Sequence, residues 1–364
     1  MAKIAIIGAG GLGSALCKLL LVSSDHEILC IDIDPAVCMD LDEECRTLIR
    51  PRFQELMYPT PPVTISCDVT SDDMAAAVKR FAPDVIVCSN DDLKFITSLA
   101  RTLGAHCVAF SDQRQDVQEI QQVEDLEKTF VLQTGLAPGL VNYFAMDILN
   151  DQLDTKMLTM ACGSLPEVFI GDIAFTRSKD LRSTLSEYLQ PALVLEDGIE
   201  RYLDPATDLA KLRVSGVEYE TFIVGGGVGD PFSYDVPNVC YRSIQFCGHL
   251  DAVQAAIDEA DDPVAALSNM FRTVQDDYVI LAVIAEDVFG EIKTGFMVFG
   301  PNPELGLNAQ TIGAVCPAAG IIQLILEDQL PSGYLGPAEI PLDLLNQTAA
   351  LMIFERSLMY SAGR

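Results

Sequence analysis

Three glycines, Gly8, Gly10 and Gly13, follow an apolar run near the N-terminus in the string Lys3-Ile-Ala-Ile-Ile-Gly8-Ala-Gly10-Gly11-Leu12-Gly13. Their spacing suits a pyrophosphate. The first allows a tight turn, the second lets backbone approach phosphate, and the third lets a helix pack closely on the preceding strand. The start of such a helix offers unpaired N–H groups and partial positive charge to an anion. The next apolar run, Glu27 to Ile31, ends in Asp32, 19 residues beyond Gly13, with Ile33 after it. A carboxylate there can accept hydrogen bonds from both hydroxyls of an adenosine ribose and repels a 2'-phosphate. The stretch therefore reads as a site for NAD rather than NADP. The alternative for Asp32 is a plain cap on the helix that begins near Asp34 and Pro35.

Hydride chemistry at a carbon bearing nitrogen would need more. The nitrogen must have a lone pair before hydride can leave, so a protonated amine has to lose its proton to a base or a water relay. His249 is one of three histidines and would titrate near neutrality if unperturbed. It is read either as that base or as a structural residue tying Gly248 and the next helix to a strand. Arg242 has the donor fork that suits a carboxylate, or else is a solvated strand residue. Gly135-Leu-Ala-Pro138-Gly139 with Asn142 opens a helix, either aimed at cofactor and substrate or as a simple domain-junction turn.

The elements that would position these groups alternate. Apolar runs at Val63 to Asp68, Pro83 to Asn90 and His106 to Phe110 alternate with helical stretches at 34–57, from Ser71 onward and at 93–103. Such alternation implies a doubly wound parallel sheet of the Rossmann type, with ligands at the carboxyl ends of its strands. Gly8 to Gly13, Asp32 and Ile33, Asp68 and Val69, and Cys88, Ser89 and Asn90 would all meet there. Past about residue 125 the pattern becomes short strands and loops, including a hairpin of 277–285 with 292–299, as in an α+β domain with a mixed sheet. The expected division is 1–125 for the dinucleotide domain, 126–340 for the catalytic domain, and a C-terminal helix within 341–364 packing back on the first.

Composition narrows the class. With 23 basic against 53 acidic residues the formal charge is -30, which argues against nucleic acid or an anionic membrane as partner. Eleven cysteines lie scattered, without CxxC pairs or metal-ligand spacing, and read as reduced thiols of a cytoplasmic protein. The uncharged run Leu305 to Leu326 is too broken by Gly, Pro and polar residues for a bilayer span and reads as a loop leading into a buried helix.

The second half carries a resemblance. Gly135-Leu-Ala-Pro-Gly139 with Asn142, Cys162-Gly-Ser-Leu-Pro166, Ser186-Glu-Tyr188, Asp197-Gly198, Tyr241-Arg-Ser-Ile-Gln-Phe-Cys-Gly-His249, Gln310-Thr311 and Gly336-Pro-Ala-Glu339 stand in one order. In that order the chain resembles the saccharopine dehydrogenase family, in particular its saccharopine reductase and lysine 6-dehydrogenase branch. The resemblance implies nicotinamide-dependent oxidation of a C–N bond in lysine, saccharopine or a polyamine precursor. It also goes with Gly135 and Pro138 at the cofactor and Gly139, Asn142, Asp180, Arg242 and Thr311 at the substrate; the cysteine and histidine spacing points to no metal. Relatives often have Trp at the place of Arg177, Tyr-Pro-Gly-His at the place of Phe246-Cys-Gly-His249, Asp at the place of Ala137, and an arginine at the place of Asp180. The last two differences shift the expected substrate from saccharopine towards a diamine-type amino acid. The remaining readings are the reductive condensation of an aldehyde with an amine, as in saccharopine reductase or carboxynorspermidine dehydrogenase, and a non-catalytic NAD-binding regulator. A homodimer is the expected assembly.

Overall fold

A computed structural model describes residues 1–49, 60–90, 92–110, 114–123, 126–152, 154–167, 176–177, 181–273 and 276–362. Two compact units divide them, 1–135 with 314–354, and 136–313 with 355–364.

The first unit is a parallel sheet wound with helices: β1 (Lys3–Ile7), α1 (Gly11–Ser23), β2 (Glu27–Asp32), α2 (Pro35–Ile49), β3 (Val63–Ser66), α3 (Asp72–Phe81), β4 (Val85–Cys88), α4 (Leu93–Leu103), β5 (His106–Ala109), α5 (Arg114–Gln121) and β6 (Thr129–Val131). Strand order is β3-β2-β1-β4-β5-β6, and the strand Gly333–Leu335 extends it past β6. Every pairing is parallel. Because both faces carry helices, β1, β2, β4 and β5 are almost wholly apolar and buried. The order reverses direction between β1 and β4, which is where ligands enter such sheets.

The boundary expected at 125 falls short of the observed one. Thr129–Val131 completes the parallel sheet through its pairing with β5, and the chain returns to this unit from Ala314 onward. The C-terminal segment also differs from a single helix. Leu342–Leu345 and Ala349–Phe354 are two short helices, and Leu358–Ala362 is a strand paired with Ile292–Phe299 in the second unit.

The second unit is built on a nine-stranded mixed sheet. At its centre Thr155–Pro166 pairs in parallel with Asn238–Phe246 and antiparallel with Asp277–Asp287. The expected hairpin forms, with Val279 opposite Phe299. Val217–Ile223 lies antiparallel to the far end of Asn238–Phe246, so that Glu220 stands opposite Gln245. One described helix, Ala309–Leu326, is long and apolar enough by length and composition to cross a membrane; 78% of it is buried inside the molecule.

Candidate cofactor crevice and substrate cavity

In the first unit the glycine turn is held from two sides. The Gly8 N–H donates to the Ile31 carbonyl at 2.8 Å, and the Ser89 N–H donates to the Ile7 carbonyl at 2.9 Å. Gly8 has φ +94°, a conformation open to glycine. A Cβ on Gly13 would lie 1.8 Å from the Gly8 carbonyl oxygen, so the close approach of α1 to β1 requires glycine there. Gly10 is different: a Cβ on it would meet no atom of the described residues within 4 Å. None of these residues demands glycine at that point, whereas a phosphate lying over the turn would. The first turn of α1, Gly11 and Leu12 included, has neither an acid nor a side-chain cap.

Asp32 binds the same turn. Its Oδ2 accepts the Ala9 N–H at 2.7 Å and its Oδ1 accepts the Asp34 N–H at 3.0 Å. The helix cap belongs to Asp34, whose carboxylate accepts the Ala36 N–H at 2.8 Å. Ile33 beside it is 64% exposed. At the end of β4 the buried Ser89 hydroxyl has no hydrogen-bond partner among the described residues, while the Cys88 thiol donates to Asn90 Oδ1 at 3.2 Å and the Asn90 amide donates to Asp92 at 3.1 Å. Past β3, Asp68 spends its Oδ1 on the N–H and hydroxyl of Thr70, both at 2.8 Å, and these bonds hold its carboxyl below the ordinary range. Val69 packs on the core. Of the residues expected at this crevice, Asp68 and Val69 build their own turn, and the rest ring the carboxyl ends of β1, β2 and β4.

The second unit encloses a cavity of about 90 Å³ lined by Leu136, Ala137, Cys162, Gly163, Ser164, Thr184, Glu187, Tyr188, Tyr241, Ser243, Gln245, Phe271 and Gln310. Each supporting element contributes by simple periodicity. On the strand Asn238–Phe246 the alternate residues Tyr241, Ser243 and Gln245 face the cavity. Glu187 and Tyr188 come from the helix Leu181–Leu189. Gly227, with φ +73°, lies against the face of the Tyr241 ring, where a Cβ would come within 2.3 Å of ring carbon. Ser164 and Gln310 are tied together by Asp277, which is 1% exposed. Its carboxylate accepts the Ala309 N–H at 2.6 Å, the Gln310 N–H at 3.2 Å and the Ser164 hydroxyl at 3.1 Å. Burial pushes that carboxyl upward against these bonds.

Several expected substrate residues lie elsewhere. Arg242 sits between Tyr241 and Ser243 and so points to the opposite face of its strand, the reverse of the expected carboxylate role. There it donates to Asp208 Oδ2 at 2.6 Å, to the Thr221 hydroxyl at 3.2 Å and to the Thr221 carbonyl at 3.1 Å, as well as to the Asp208 carbonyl. Asn142 is fully buried. It accepts the Gly139 N–H at 2.6 Å, and its amide group bonds Tyr234 Oη at 2.6 Å and the Gly227 and Val228 carbonyls at 3.1 and 3.2 Å. Its atoms are committed to holding the loop under Tyr241 in place, with Gly139 as the partner cap. In the string Gly135 to Gly139 it is Leu136 and Ala137 that line the cavity; Pro138 follows a cis peptide and is buried. Thr311 donates its N–H to Asn308 at 2.9 Å, and its neighbour Gln310 takes the lining place. Asp180 lies outside the described residues.

His249 does not line the cavity. It is 3% exposed, and its Nε2 lies 2.9 Å from Tyr188 Oη. Burial holds its imidazole far below the ordinary value, at about 3, so it is neutral through the physiological range. Burial thus sets it apart from an exposed imidazole, which would titrate near neutrality. The tie between Gly248, the helix and the strand is made by Glu220, whose two oxygens accept the Gly248 N–H at 2.8 Å and the Leu250 N–H at 2.6 Å. Glu187, Tyr188, Ser243 and Gln245 were not singled out as site residues by the sequence reading; the available signal was the shared parity of Tyr241, Ser243 and Gln245.

A parallel sheet with a glycine turn at its switch point, followed by a mixed sheet around a polar cavity, defines a two-unit chain of the dinucleotide-fold class. Solved structures narrow this further. Over its whole length the chain superposes on saccharopine dehydrogenase (L-Glu forming) from Saccharomyces cerevisiae with a TM-score of 0.72, 14% identity and all of that chain covered. It superposes equally on homospermidine synthase from Legionella pneumophila, determined in complex with NAD, with a TM-score of 0.71, 14% identity and 91% of that chain covered. The chain has the fold that these proteins share. No protein-family model matches the sequence, and no curated protein matches it.

Proposed function

We propose that the chain is an NAD-dependent oxidoreductase that removes hydride from a carbon bonded to nitrogen in a small amine or amino acid. The observation that carries this reading is the charge of the cavity: among the described residues that line it Glu187 is the one carboxylate, with no Lys, Arg or His beside it in that lining. Hydroxyls and amides make up the other polar lining, which suits an ammonium group far better than a second carboxylate.

The first unit fits the cofactor. The open space over Gly10, the uncapped start of α1 and the unpartnered Ser89 hydroxyl suit a pyrophosphate, and Asp32 suits the ribose hydroxyls. NAD, when bound, supplies the hydride acceptor. The chain's own residues hold the ammonium beside Glu187 and orient the carbon. The ammonium first gives up one proton to water in the cavity. Its C–H pair then leaves as hydride while the nitrogen lone pair closes the C=N bond, giving an iminium ion that water converts to a carbonyl compound and the free amine. The same groups serve the reverse condensation. Within this class we favour a lysine-type diamine as substrate. A cytoplasmic setting is supported by eleven free cysteines, of which Cys247 is exposed. A homodimer is supported by the exposed outer strand Thr207–Val214.

The test is a screen of lysine, ornithine, saccharopine and diamines with NAD and NADP, read by absorbance of the reduced nicotinamide. The expected result is reduction of NAD by at least one amine, with NADP poorer by about tenfold or more in kcat/KM. Tight NAD binding without turnover across the panel would favour a regulatory protein instead.

A further inference from the structure

Tyr188 and His249 form a pair in which one member reaches the cavity and the other is sealed behind it. Tyr188 is among the residues that line the cavity, and its phenolic oxygen lies 2.9 Å from His249 Nε2. Aromatic rings fix both partners: Phe271 lies 5.4 Å from Tyr188 between centroids, and Phe222 stacks on His249 at 5.9 Å. Glu220 clamps the backbone on both sides of His249. Ser243 and Gln245 also lie within hydrogen-bonding reach of the phenol and are themselves joined by a 3.1 Å bond from the Gln245 amide to the Ser243 hydroxyl. A neutral imidazole offers one acceptor nitrogen, and a phenol has one proton and two lone pairs. If Nε2 takes the phenolic proton, the oxygen acts towards its other neighbours as an acceptor. Such a one-way chain of hydrogen bonds strengthens each of its links.

We propose that Tyr188 presents its oxygen to the substrate nitrogen as a hydrogen-bond acceptor, and that His249 is the positioning residue that sets this polarity by accepting the phenolic proton. The choice of an amine as ligand rests on the function proposed above. The arrangement gives the cavity an acceptor for N–H beside the charge of Glu187. It assigns His249 a place one bond behind the substrate instead of against it.

The test measures binding of 1,4-diaminobutane to the full chain by calorimetry, apart from turnover. Tyr188→Phe removes the oxygen. His249→Asn removes the acceptor at the Nε2 position, and His249→Gln returns an amide oxygen close to it. Tyr188→Phe and His249→Asn are each expected to weaken binding by about tenfold. The double variant should bind no more weakly than Tyr188→Phe alone, and His249→Gln should stay within about threefold of the parent. The proposal is overturned if the parent chain does not bind the diamine, if His249→Asn binds like the parent, if the two effects multiply, or if His249→Gln is as weak as His249→Asn. If the expected pattern holds while no amine reduces NAD, the oxidoreductase reading falls and the pairing stands.

Discussion

The phenolic oxygen of Tyr188 lies 2.9 Å from Nε2 of His249, a histidine that is 3% exposed and absent from the lining of the cavity. Burial in an aromatic pocket keeps that imidazole neutral, so its effect on a ligand passes through the tyrosine. The same burial makes it a determinant of acid stability.

In the unfolded chain His249 takes up a proton near its ordinary 6.5, whereas in the fold it does so only near 3. The unfolded state therefore binds more protons across that interval. The stability that neutrality supports is complete above about 6.5 and is lost as pH falls towards 3. His26 and His106 are also held low by burial and act in the same direction. Urea unfolding should show that the parent chain loses about 1 kcal/mol more than His249→Gln between about pH 7.5 and about pH 5.5. Equal losses would mean that the imidazole protonates freely in the fold.

Gly13 and Gly10 should respond oppositely to alanine. Gly13→Ala drives a Cβ into the Gly8 carbonyl, and the forced separation of α1 from β1 should cost about 1–3 kcal/mol. Gly10→Ala enters open space and should leave unfolding within about 0.5 kcal/mol of the parent. Its NAD affinity should nevertheless fall by about tenfold or more, because the methyl group occupies phosphate space. Thermal unfolding and dinucleotide titration of both variants separate the two effects. Unimpaired NAD binding by Gly10→Ala would contradict the placement of the pyrophosphate.

Arg242 and Glu187 give a second contrast. Arg242→Ala leaves the Thr221 carbonyl and the Asp208 carboxylate without their donor, at a cost of about 1–3 kcal/mol in stability. Amine KM should change by less than about threefold, since Arg242 faces away from the cavity. Glu187→Gln should raise the amine KM by about tenfold or more. Steady-state kinetics with urea unfolding on both variants reads the pattern; an unchanged KM in Glu187→Gln would remove the carboxylate from substrate binding.

The formal charge of -30 predicts salt dependence. Like charges repel across the fold, and the screening length shrinks from about 30 Å at 0.01 M salt to about 3 Å at 1 M. The thermal midpoint should rise over that range. Exposed pairs such as Lys18 with Glu44 and Lys94 with Glu119 are weakened by salt but contribute little. A falling midpoint would show that these attractions outweigh the repulsion.

The parallel sheet was legible because its buried strands are short apolar runs ending in Gly8, Asp32 and Ser89, and local pattern and tertiary role coincide there. In the second unit they separate. The alternation of Tyr241 to Phe246 identifies a strand, but parity alone does not say which face meets the cavity or that Arg242 lies on the other one. Glu187 and Tyr188 sit on a short helix whose sequence does not distinguish a cavity wall from a solvated face. The burial of His249 depends on Phe222 and Glu220, which lie on a different strand. Leu358–Ala362 has no β-branched residue and became a strand by pairing with Ile292–Phe299, a case of tertiary context overriding propensity.

The central claim is that hydride leaves a carbon attached to nitrogen. The most direct measurement supplies the best amine of the screen deuterated on that carbon and analyses the reduced nicotinamide by mass spectrometry. The expected result is one deuterium in each molecule of reduced cofactor, formed together with the carbonyl product. Reduced cofactor without deuterium, or no reduction by any amine in the panel, would contradict the account.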